Sequence, residues 1–396
     1  MPRILHLGVG NFFRAHQADY TQSSPGWRIT GVSFRSPSIR DGLAAQGYGY
    51  TLLIKDRSGS KLRKIDVLDR MLVVPENPDS LIDAIADPDV AVITVTVTEK
   101  GYHLGPDGRL DTQADAVGSD LNGGALTPVG ALARGLARRT TPVTVLSCDN
   151  LPNNGPKLQS AVIDFARLVG LTITAPVTFP ASMVDRITPA TTDTIRAEAS
   201  DPMAVPTEAF SEWVIQDDFA AARPDWPGAQ WVQDVEPHEM RKLRMLNGAH
   251  SFLAYAGTLR GHTYVHEAIA DPTLRNTART LMQEAAATLP EAVRAQAESY
   301  ADALLDRFEN PALHHRLRQI AMDGSQKMPI RIVDTLRQRK GQNSPALTAA
   351  IDAWCDFVRT EVADGRTLDD PMASDLQSAC GTADPGAALK AVIGAP

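Results

Sequence analysis

The spacing of apolar and polar residues changes a little past the middle of the chain. Before about residue 180, short runs rich in Val, Ile and Leu alternate with segments of helical periodicity. From residue 237 onward, helical spacing dominates and few strand candidates remain. Short β-branched runs are typical of buried strands, and apolar residues three and four apart are typical of amphipathic helices. The pattern therefore predicts two domains, residues 1–236 with alternating strands and helices and residues 237–396 almost entirely helical.

The first domain is predicted to contain a series of strands separated by helices. The predicted strands are 3–7, 27–34, a hairpin of 50–55 with 61–68, 90–98, 142–147, 171–178 and 207–216. The predicted helices between them are 79–86, 128–138 and 158–169. This alternation indicates an α/β fold with a mostly parallel, doubly wound sheet. Such sheets bind ligands at the carboxyl ends of their strands, so side chains that follow the strands are site candidates.

The second domain is predicted to be a set of helices with proline or glycine breaks between them. The helical segments are 238–257, 274–287, 290–307, 311–321, 328–338 and 345–363. The tail after Cys380 is rich in Gly and Ala, and we expect it to be a loose end.

The composition is that of a soluble globular protein. The chain has 396 residues, 43% hydrophobic and 22% charged, and a formal net charge of −8, which disfavours nucleic acid or an anionic membrane as a partner. No apolar run approaches the roughly 20 residues of a membrane helix, and the N-terminus shows no signal-peptide pattern. Three scattered cysteines form no CxxC pair. We therefore expect a cytoplasmic enzyme that is a monomer or a weak homodimer.

A glycine turn follows the first predicted strand. Gly8 and Gly10 would allow a tight turn and a close approach of the backbone to a pyrophosphate, with the helix N-terminus supplying amide donors. The usual third glycine is missing and Phe13 takes its place, so an ordinary strand–helix turn is an equal alternative. The candidate coenzyme contacts here are Gly8, Gly10, Asn11, Phe12 and Phe13.

The end of the second predicted strand carries Arg35 and Ser36, where NAD-binding folds usually have an acid for the adenosine ribose. An arginine here could stack on adenine or hold a 2′-phosphate, or it could be an ordinary surface residue. NADP therefore stays open beside NAD.

Two further candidates, Glu99 and Asn150, follow the predicted strands 90–98 and 142–147. Both would lie at the ligand-binding edge of the sheet. Glu99 and His16 could also suggest a metal site, but the chain has no paired cysteine ligands and no HExxH helix. We predict no metal.

The helical domain opens with Lys242, Asn247 and His250, at intervals of five and three residues. On an α-helix all three could border one cleft. A lysine base, an amide donor and a substrate-orienting histidine would together serve acid–base chemistry without a metal. Alone, the same segment would better suit a solvated amphipathic helix.

These motifs together resemble the mannitol dehydrogenase family, the polyol-specific long-chain dehydrogenases and reductases. The resemblance is strongest in the spacing Lys-x4-Asn-x2-His and in the segment SMVDRITP. The matching segments follow the family order and are GVGNFFRAHQADY (8–20), TVTEKGY (96–102), SCDN (147–150), FPASMVDRITPATT (179–192), EWVI (212–215), KLRMLNGAHS (242–251) and DGSQKMPIR (323–331).

The resemblance implies an N-terminal Rossmann-type, dinucleotide-binding domain and a helical substrate and catalytic domain. It also implies NAD(P)-dependent oxidation of a secondary alcohol without zinc. The roles that it implies are Lys242 as the base, Asn247 and Asn150 as oxyanion donors, His250 as a substrate-positioning group, Glu239 as a proton relay, Asp185 as a ligand of substrate hydroxyls, and Arg318 or Lys327 as a further substrate contact.

Several substrates are left open by the resemblance. The leading interpretation is a hexitol such as D-mannitol interconverted with its ketose, D-fructose. A fructuronate reductase producing D-mannonate is the first alternative, for which Lys327 or Arg331 could supply a cation, and a pentitol such as arabinitol is another. An NAD(P)-binding sensor without turnover is the non-enzymatic alternative, although it would have no need of the complete set of polar residues.

Overall fold

The computed structural model describes residues 2–396 and separates into two compact units, Met1–Glu236 and Pro237–Pro396. We call them unit 1 and unit 2 and describe each by itself.

Unit 1 is built on a six-stranded parallel sheet with the strand order β5-β2-β1-β6-β7-β8. This is the doubly wound order, in which the direction of winding reverses between β1 and β6 and creates a ligand-binding switch point. The strands of the unit are β1 Arg3–Leu7, β2 Arg28–Ser33, β3 Tyr50–Asp56, β4 Gly59–Ile65, β5 Leu68–Val73, β6 Val90–Val95, β7 Val143–Ser147, β8 Val177–Thr178, β9 Ser182–Asp185, β10 Val205–Glu208, β11 Glu212–Gln216 and β12 Gln230–Val232.

Helices flank these strands, and several begin at residues that cap a helix well. The α6 helix starts after Thr127, whose hydroxyl accepts the Gly130 amide at 2.9 Å, with a proline in its first turn. The helices of unit 1 are α1 Asn11–Ala15, α2 Gln17–Gln22, α3 Ser38–Ala44, α4 Pro78–Ala86, a 3₁₀ turn Glu99–Tyr102, α5 Asp115–Leu121, α6 Pro128–Arg138, α7 Asn154–Leu168 and α8 Asp193–Ala199, with α9 Glu236–Arg241 leading into unit 2.

Three predicted strands differ from the observed ones. The predicted hairpin is present as β3 and β4, but its expected end belongs to β5 of the main sheet. The segment 171–178 is a strand only at Val177–Thr178, because Pro176 has no amide to donate to a ladder. The segment 207–216 is two strands, since β10 pairs with β3 while β11 pairs with β9 and the chain must turn between two sheets.

Unit 2 is helical. Its elements are a π-helix Lys242–Asn247, α10 Gly248–Leu259, α11 Val265–Ala270, α12 Pro272–Ala286, α13 Glu291–Arg294, α14 Ala297–Phe308, a 3₁₀ turn Pro311–Leu313, α15 Leu317–Ala321, α16 Gly324–Met328, a second π-helix Pro329–Val333, α17 Asp334–Gln338, α18 Pro345–Ala363, α19 Ala373–Cys380 and α20 Pro385–Val392. The fold class predicted from the sequence, a Rossmann-type sheet followed by a mostly helical region, is confirmed.

Several expectations for unit 2 were wrong. The segments 238–257 and 328–338 are each interrupted by a π-helix, in which i→i+5 hydrogen bonds replace the i→i+4 bonds of an α-helix. The segments 290–307 and 311–321 each contain two shorter elements in place of one continuous helix. The tail is not a loose end, because α20 packs its buried Leu389 against the core of the unit and Ile393 follows it there. These two residues are four apart and therefore lie on one helical face.

The core of unit 2 surrounds α10, which is apolar on most of its circumference. Its buried residues include Ala249, Leu253 and Tyr255. Gly248 at its start lies close to the other π-helix, since a β-carbon there would be 3.4 Å from a methyl group of Ile332. Among residues 2–396, no helix combines the length and the apolar character that crossing a bilayer requires.

A buried arginine closes the amino-terminal edge of the sheet in unit 1. Arg139, 1% exposed, donates hydrogen bonds to the main-chain carbonyls of Ile85, Asp87, Val90, Thr141 and Pro142. One side chain thus satisfies carbonyl groups at the end of α4, at the start of β6 and in the turn before β7, which would otherwise be buried without a donor.

We expect Arg139→Ala to lower the free energy of unfolding by about 3–5 kcal/mol, because several buried carbonyls lose their donor and a cavity is left. The neighbouring Arg138, 54% exposed and paired with Asp83, is the control. Its replacement by alanine should change the free energy by less than about 0.5 kcal/mol. Urea denaturation measures both, and equal effects of the two substitutions would contradict the prediction.

Candidate active site

The turn after β1 contains two glycines, and the structure explains each of them differently. Gly8 has φ +101°, and a β-carbon there would lie 2.0 Å from the main-chain oxygen of Thr96. The fold itself therefore demands glycine at this position. Gly10 has φ −105°, and its β-carbon would meet no heavy atom within 4 Å. The space beside Gly10 is open, at the start of α1 and at the switch point of the sheet, which is the position where dinucleotide-binding folds hold a phosphate.

Phe13 occupies the place of the third glycine and is completely buried. Its ring stacks on His6 of β1, with centroids 3.5 Å apart and planes inclined by 12°. The His6 ring also bonds to the hydroxyls of Thr94 and Thr96, and burial lowers its pKa to about 3, so the ring is neutral. Phe13 therefore serves the packing of α1 on the sheet, and only its main chain is left for a coenzyme.

Asn11 and Phe12 are partly buried and already have contacts inside unit 1. The Asn11 amide donates to the Thr191 hydroxyl at 3.2 Å, and its oxygen accepts a bond from Arg14 at 2.6 Å. Phe12 stacks on His16 at 5.1 Å. Both side chains thus fix the helix start.

The other sheet-edge candidates lie where the sequence predicts them. Arg35 and Ser36 are exposed directly after β2, in a turn where the Ser33 hydroxyl donates to the Ser36 carbonyl at 2.8 Å. Glu99 is exposed at the start of the 3₁₀ turn that follows β6. Asn150 is exposed after β7.

Asp149, which precedes Asn150, was not predicted as a site residue. It is 7% exposed, and its carboxylate accepts the amides of Val97 at 3.1 Å and Thr98 at 2.8 Å. The Tyr102 hydroxyl donates to the same carboxylate at 2.9 Å. The sequence feature that could have identified Asp149 is an acidic residue directly after a predicted buried strand.

Asp185 ends β9 and is buried, 7% exposed, opposite Glu212 of β11 in the antiparallel pair. The next residue, Arg186, is also buried and forms an ion pair with Asp19 at 2.6 Å. It also donates to the Ala15 carbonyl, so this arginine ties β9 to the first helices of unit 1.

In unit 2 the π-helix begins at Lys242 and ends at Asn247, and His250 follows in the first turn of α10. An α-helix would separate residues five apart by about 140° around its axis. A π-helix joins residues five apart by main-chain hydrogen bonds and brings them to the same side. The expected α-helical geometry was therefore wrong, and the π-helix brings Lys242 and Asn247 nearer to one face. Lys242 is 9% exposed.

His250 is buried among aromatic and cationic side chains. Its ring contacts Phe308 at 4.5 Å and His315 at 5.3 Å between centroids. Burial, and then the nearby His315, Arg307 and Arg331, hold the pKa of His250 well below its usual value. The neutral ring keeps one nitrogen, Nε2, without a hydrogen-bond partner among residues 2–396.

The remaining candidates of unit 2 are Glu239, Lys327 and Arg318, and the last two form hydrogen bonds within the unit. Glu239 lies in α9, three residues before Lys242. Lys327 donates to the Met322 carbonyl at 2.6 Å, and Arg318 makes two bonds to Glu361, at 2.8 and 3.1 Å.

Arg331, in the second π-helix, is one of the cations near His250. Its side chain donates to the Ser251 hydroxyl at 3.1 Å, while its Nε atom is buried without a hydrogen-bond partner. It forms no ion pair with any carboxylate of residues 2–396, and burial lowers its pKa.

Within residues 2–396, His, Cys, Asp and Glu side chains form no group of three or more that could hold a metal ion.

Comparison with known proteins relates both units to one family. The model of the mannitol dehydrogenase Rossmann domain matches residues 2–228, and that of the mannitol dehydrogenase C-terminal domain matches residues 234–393. The D-mannonate oxidoreductase of Escherichia coli (strain K12) is 37% identical over 99% of this chain and 87% of its own. The mannitol 2-dehydrogenase of Phaeosphaeria nodorum is also 37% identical, over 95% of this chain and 72% of its own.

A solved structure extends the likeness to the fold. Mannitol 2-dehydrogenase of Pseudomonas fluorescens, in a ternary complex with NAD and D-mannitol, has a TM-score of 0.82 and 30% identity. The match covers 99% of this chain and 91% of that one.

We expect Gly10→Ala to weaken NADH binding by at least about tenfold while leaving the melting temperature nearly unchanged, because the methyl group fills open space that a phosphate needs. Gly8→Ala should lower the melting temperature by several degrees, since its β-carbon overlaps the Thr96 carbonyl. Fluorescence titration with NADH and thermal melts measure the two effects. NADH binding by Gly10→Ala as tight as that of wild type would contradict the assignment of the turn.

Proposed function

Because the chain belongs to the mannitol dehydrogenase family, we propose that it is an NAD-dependent oxidoreductase that interconverts a sugar alcohol such as D-mannitol with its ketose, D-fructose. The observation that carries this proposal is the π-helix that joins a buried lysine to an asparagine five residues later. We further propose residues 1–236 as the dinucleotide-binding domain and residues 237–396 as the substrate and catalytic domain. The net charge of −8 disfavours nucleic acid and supports a small-molecule partner. We also propose that the protein is cytoplasmic and a monomer or a weak homodimer.

The coenzyme would be held by the turn around Gly8 and Gly10 and by the start of α1. Bound NAD would supply the acceptor for the hydride of the substrate's carbinol carbon. Glu99 would line the same edge of the sheet, and exposed Arg35 with Ser36 would face the adenosine end. These two residues could accommodate a 2′-phosphate, which makes NADP the alternative coenzyme.

Lys242 would act as the general base, removing the hydroxyl proton while the hydride leaves. Its 9% exposure supports this role, because lysines serve as bases where the charged form is poorly solvated. Glu239, about one turn earlier in the chain, would pass the proton on to solvent.

The amide groups of Asn150 and Asn247 would donate hydrogen bonds to the alkoxide that develops on the substrate oxygen. One such donor is typically worth about 3–4 kcal/mol of barrier. Neutral His250 would position the substrate through its Nε2 atom, and Asp185 would accept hydrogen bonds from substrate hydroxyls. Arg318 and Lys327 remain candidate substrate contacts, although each already bonds inside unit 2.

We expect Lys242→Met to lower kcat for D-mannitol oxidation by about 10²–10⁴-fold, since the base is lost while the apolar stem of the side chain is kept. The dissociation constant for NADH should change less than about twofold. Lys61→Met, at an exposed position of β4, is the control and should behave as wild type. Unchanged turnover in Lys242→Met would rule out the lysine as the base, and NADH binding without any turnover in wild type would favour a sensor.

A second candidate function is reduction of D-fructuronate to D-mannonate. Arg331 favours it, because a half-buried guanidinium without a carboxylate partner could bind the carboxylate of a sugar acid bidentately. The E. coli relative named D-mannonate oxidoreductase supports the same reading. A pentitol such as arabinitol would be oxidised in the same way as D-mannitol, with Lys242 as the base.

A substrate panel with NAD and NADP separates these candidates, and we expect turnover of D-mannitol. We expect Arg331→Gln to raise KM for D-mannonate by about 10–100-fold and to leave KM for D-mannitol almost unchanged, because only the acid needs the charge. Arg318→Gln, which removes a cation already paired with Glu361, is the matched control. Turnover of D-mannonate without any of D-mannitol would replace the leading function by the second.

A further inference from the structure

The loop after β6 is held by a carboxylate from the neighbouring strand. Both oxygens of Asp149 accept main-chain amides, from Val97 and from Thr98, and Oδ2 also accepts the Tyr102 hydroxyl. Tyr102 is itself fully buried and bonded to Ser147 of β7. One carboxylate thus fixes both the loop and the 3₁₀ turn that follows it.

The loop is strained at the residue that the carboxylate holds. Thr98 has φ +65° and ψ 161°, a conformation that a β-branched residue rarely adopts. Strain of this kind persists only where the surroundings fix the backbone firmly. The 2.8 Å bond from the Thr98 amide to Asp149 is the contact that does so directly.

The same loop is interlocked with the glycine turn. The Thr96 hydroxyl donates to the Gly8 carbonyl at 2.8 Å, and the Thr96 carbonyl oxygen lies 2.0 Å from the position that a β-carbon of residue 8 would take. A change in the conformation of the loop would therefore alter the glycine turn, because the two are in direct contact.

We propose that Asp149 is a positioning residue that holds the loop Thr96–Glu99 in the shape required for tight coenzyme binding. The inference rests on the proposed function, because it takes unit 1 to bind NAD(H). Asp149 would act through the loop and the turn, without touching the reacting atoms.

Protonation of Asp149 should loosen this arrangement, because a carboxylic acid has less capacity to accept three hydrogen bonds than a carboxylate. Burial raises the pKa of Asp149 to about 6, against the opposing effect of its hydrogen bonds. The titratable groups that face it are Tyr102, Glu99 and Cys148. Coenzyme affinity should therefore be full above pH 6 and should decline as the pH falls through that value.

The test measures the dissociation constant of NADH by fluorescence between pH 5.5 and 8, for the full-length wild type and three variants. For Asp149→Asn we expect affinity at pH 8 to be roughly 10–100-fold weaker, with no dependence on pH near 6. Tyr102→Phe should keep wild-type affinity at pH 8 and move the decline to higher pH, because it removes a donor that lowers the pKa of Asp149. This second variant keeps both amide bonds and serves if Asp149→Asn folds poorly.

Asp120→Asn is the matched control, since Asp120 is another buried aspartate of unit 1 that accepts a main-chain amide, that of Thr127 at 2.7 Å. It should lower the melting temperature without altering the affinity for NADH or its pH profile. An Asp149→Asn protein with wild-type affinity and pH profile would overturn the inference alone. Failure of the wild type to bind NADH or NADPH at any pH would instead overturn the proposed function and the inference together.

Discussion

The close approach of two chain segments at the switch point of the sheet is the constraint on which unit 1 depends. The chain leaving β1 passes so near the chain leaving β6 that no side chain fits at Gly8. The ring of His6 in β1 bonds to the hydroxyls of Thr94 and Thr96 in the second segment, and the ring of Phe13 stacks on it. A third glycine usually lets the first helix pack closely on the sheet, whereas here the packing uses a stacked pair of flat rings, Phe13 of the helix and His6 of β1. The departure from the usual glycine pattern therefore still produces the turn.

Much of this fold follows from the sequence, because buried parallel strands and amphipathic helices leave strong periodic signals. The doubly wound, mostly parallel sheet, the helix Pro128–Arg138 and the helix Pro345–Ala363 were predictable on that basis. Features that depend on distant partners were not. The burial of Asp149 requires the loop after β6, and the docking of α20 requires the helices that surround Leu389. A composition rich in Ala and Gly lowers the apparent apolar content of such a helix without removing its buried face.

The two π-helices of unit 2 escaped prediction for a different reason. Inserting one residue into a helix shifts the face that follows it, and a pattern of mixed polar and apolar residues does not reveal where the shift occurs. Packing reveals where the shift occurs. Gly248 follows the first π-helix, and a β-carbon placed there would lie 3.7 Å from the Arg331 carbonyl oxygen of the second π-helix. The two π-helices thus pack against each other at Gly248, which has no side chain. The geometry of Lys242 and Asn247 consequently depends on helix packing in unit 2, which is more rigid than a loop would be.

The charge of the whole chain says little about the substrate, because, after burial, the groups that lower the pKa of His250 include two arginines, Arg307 and Arg331. Burial and then the charge of Arg331 also lower the pKa of Lys327, against the opposing effect of Asp323. Sugar hydroxyls could accept hydrogen bonds from Arg331 but would leave its charge uncompensated in a poorly solvated place. A sugar-acid carboxylate would compensate that charge, yet it must first lose its own hydration, which can cancel the gain. The preference between polyol and sugar acid therefore depends on two costs: leaving the Arg331 charge uncompensated, and removing water from the carboxylate of the sugar acid. The second cost falls as more hydrogen-bond donors surround that carboxylate.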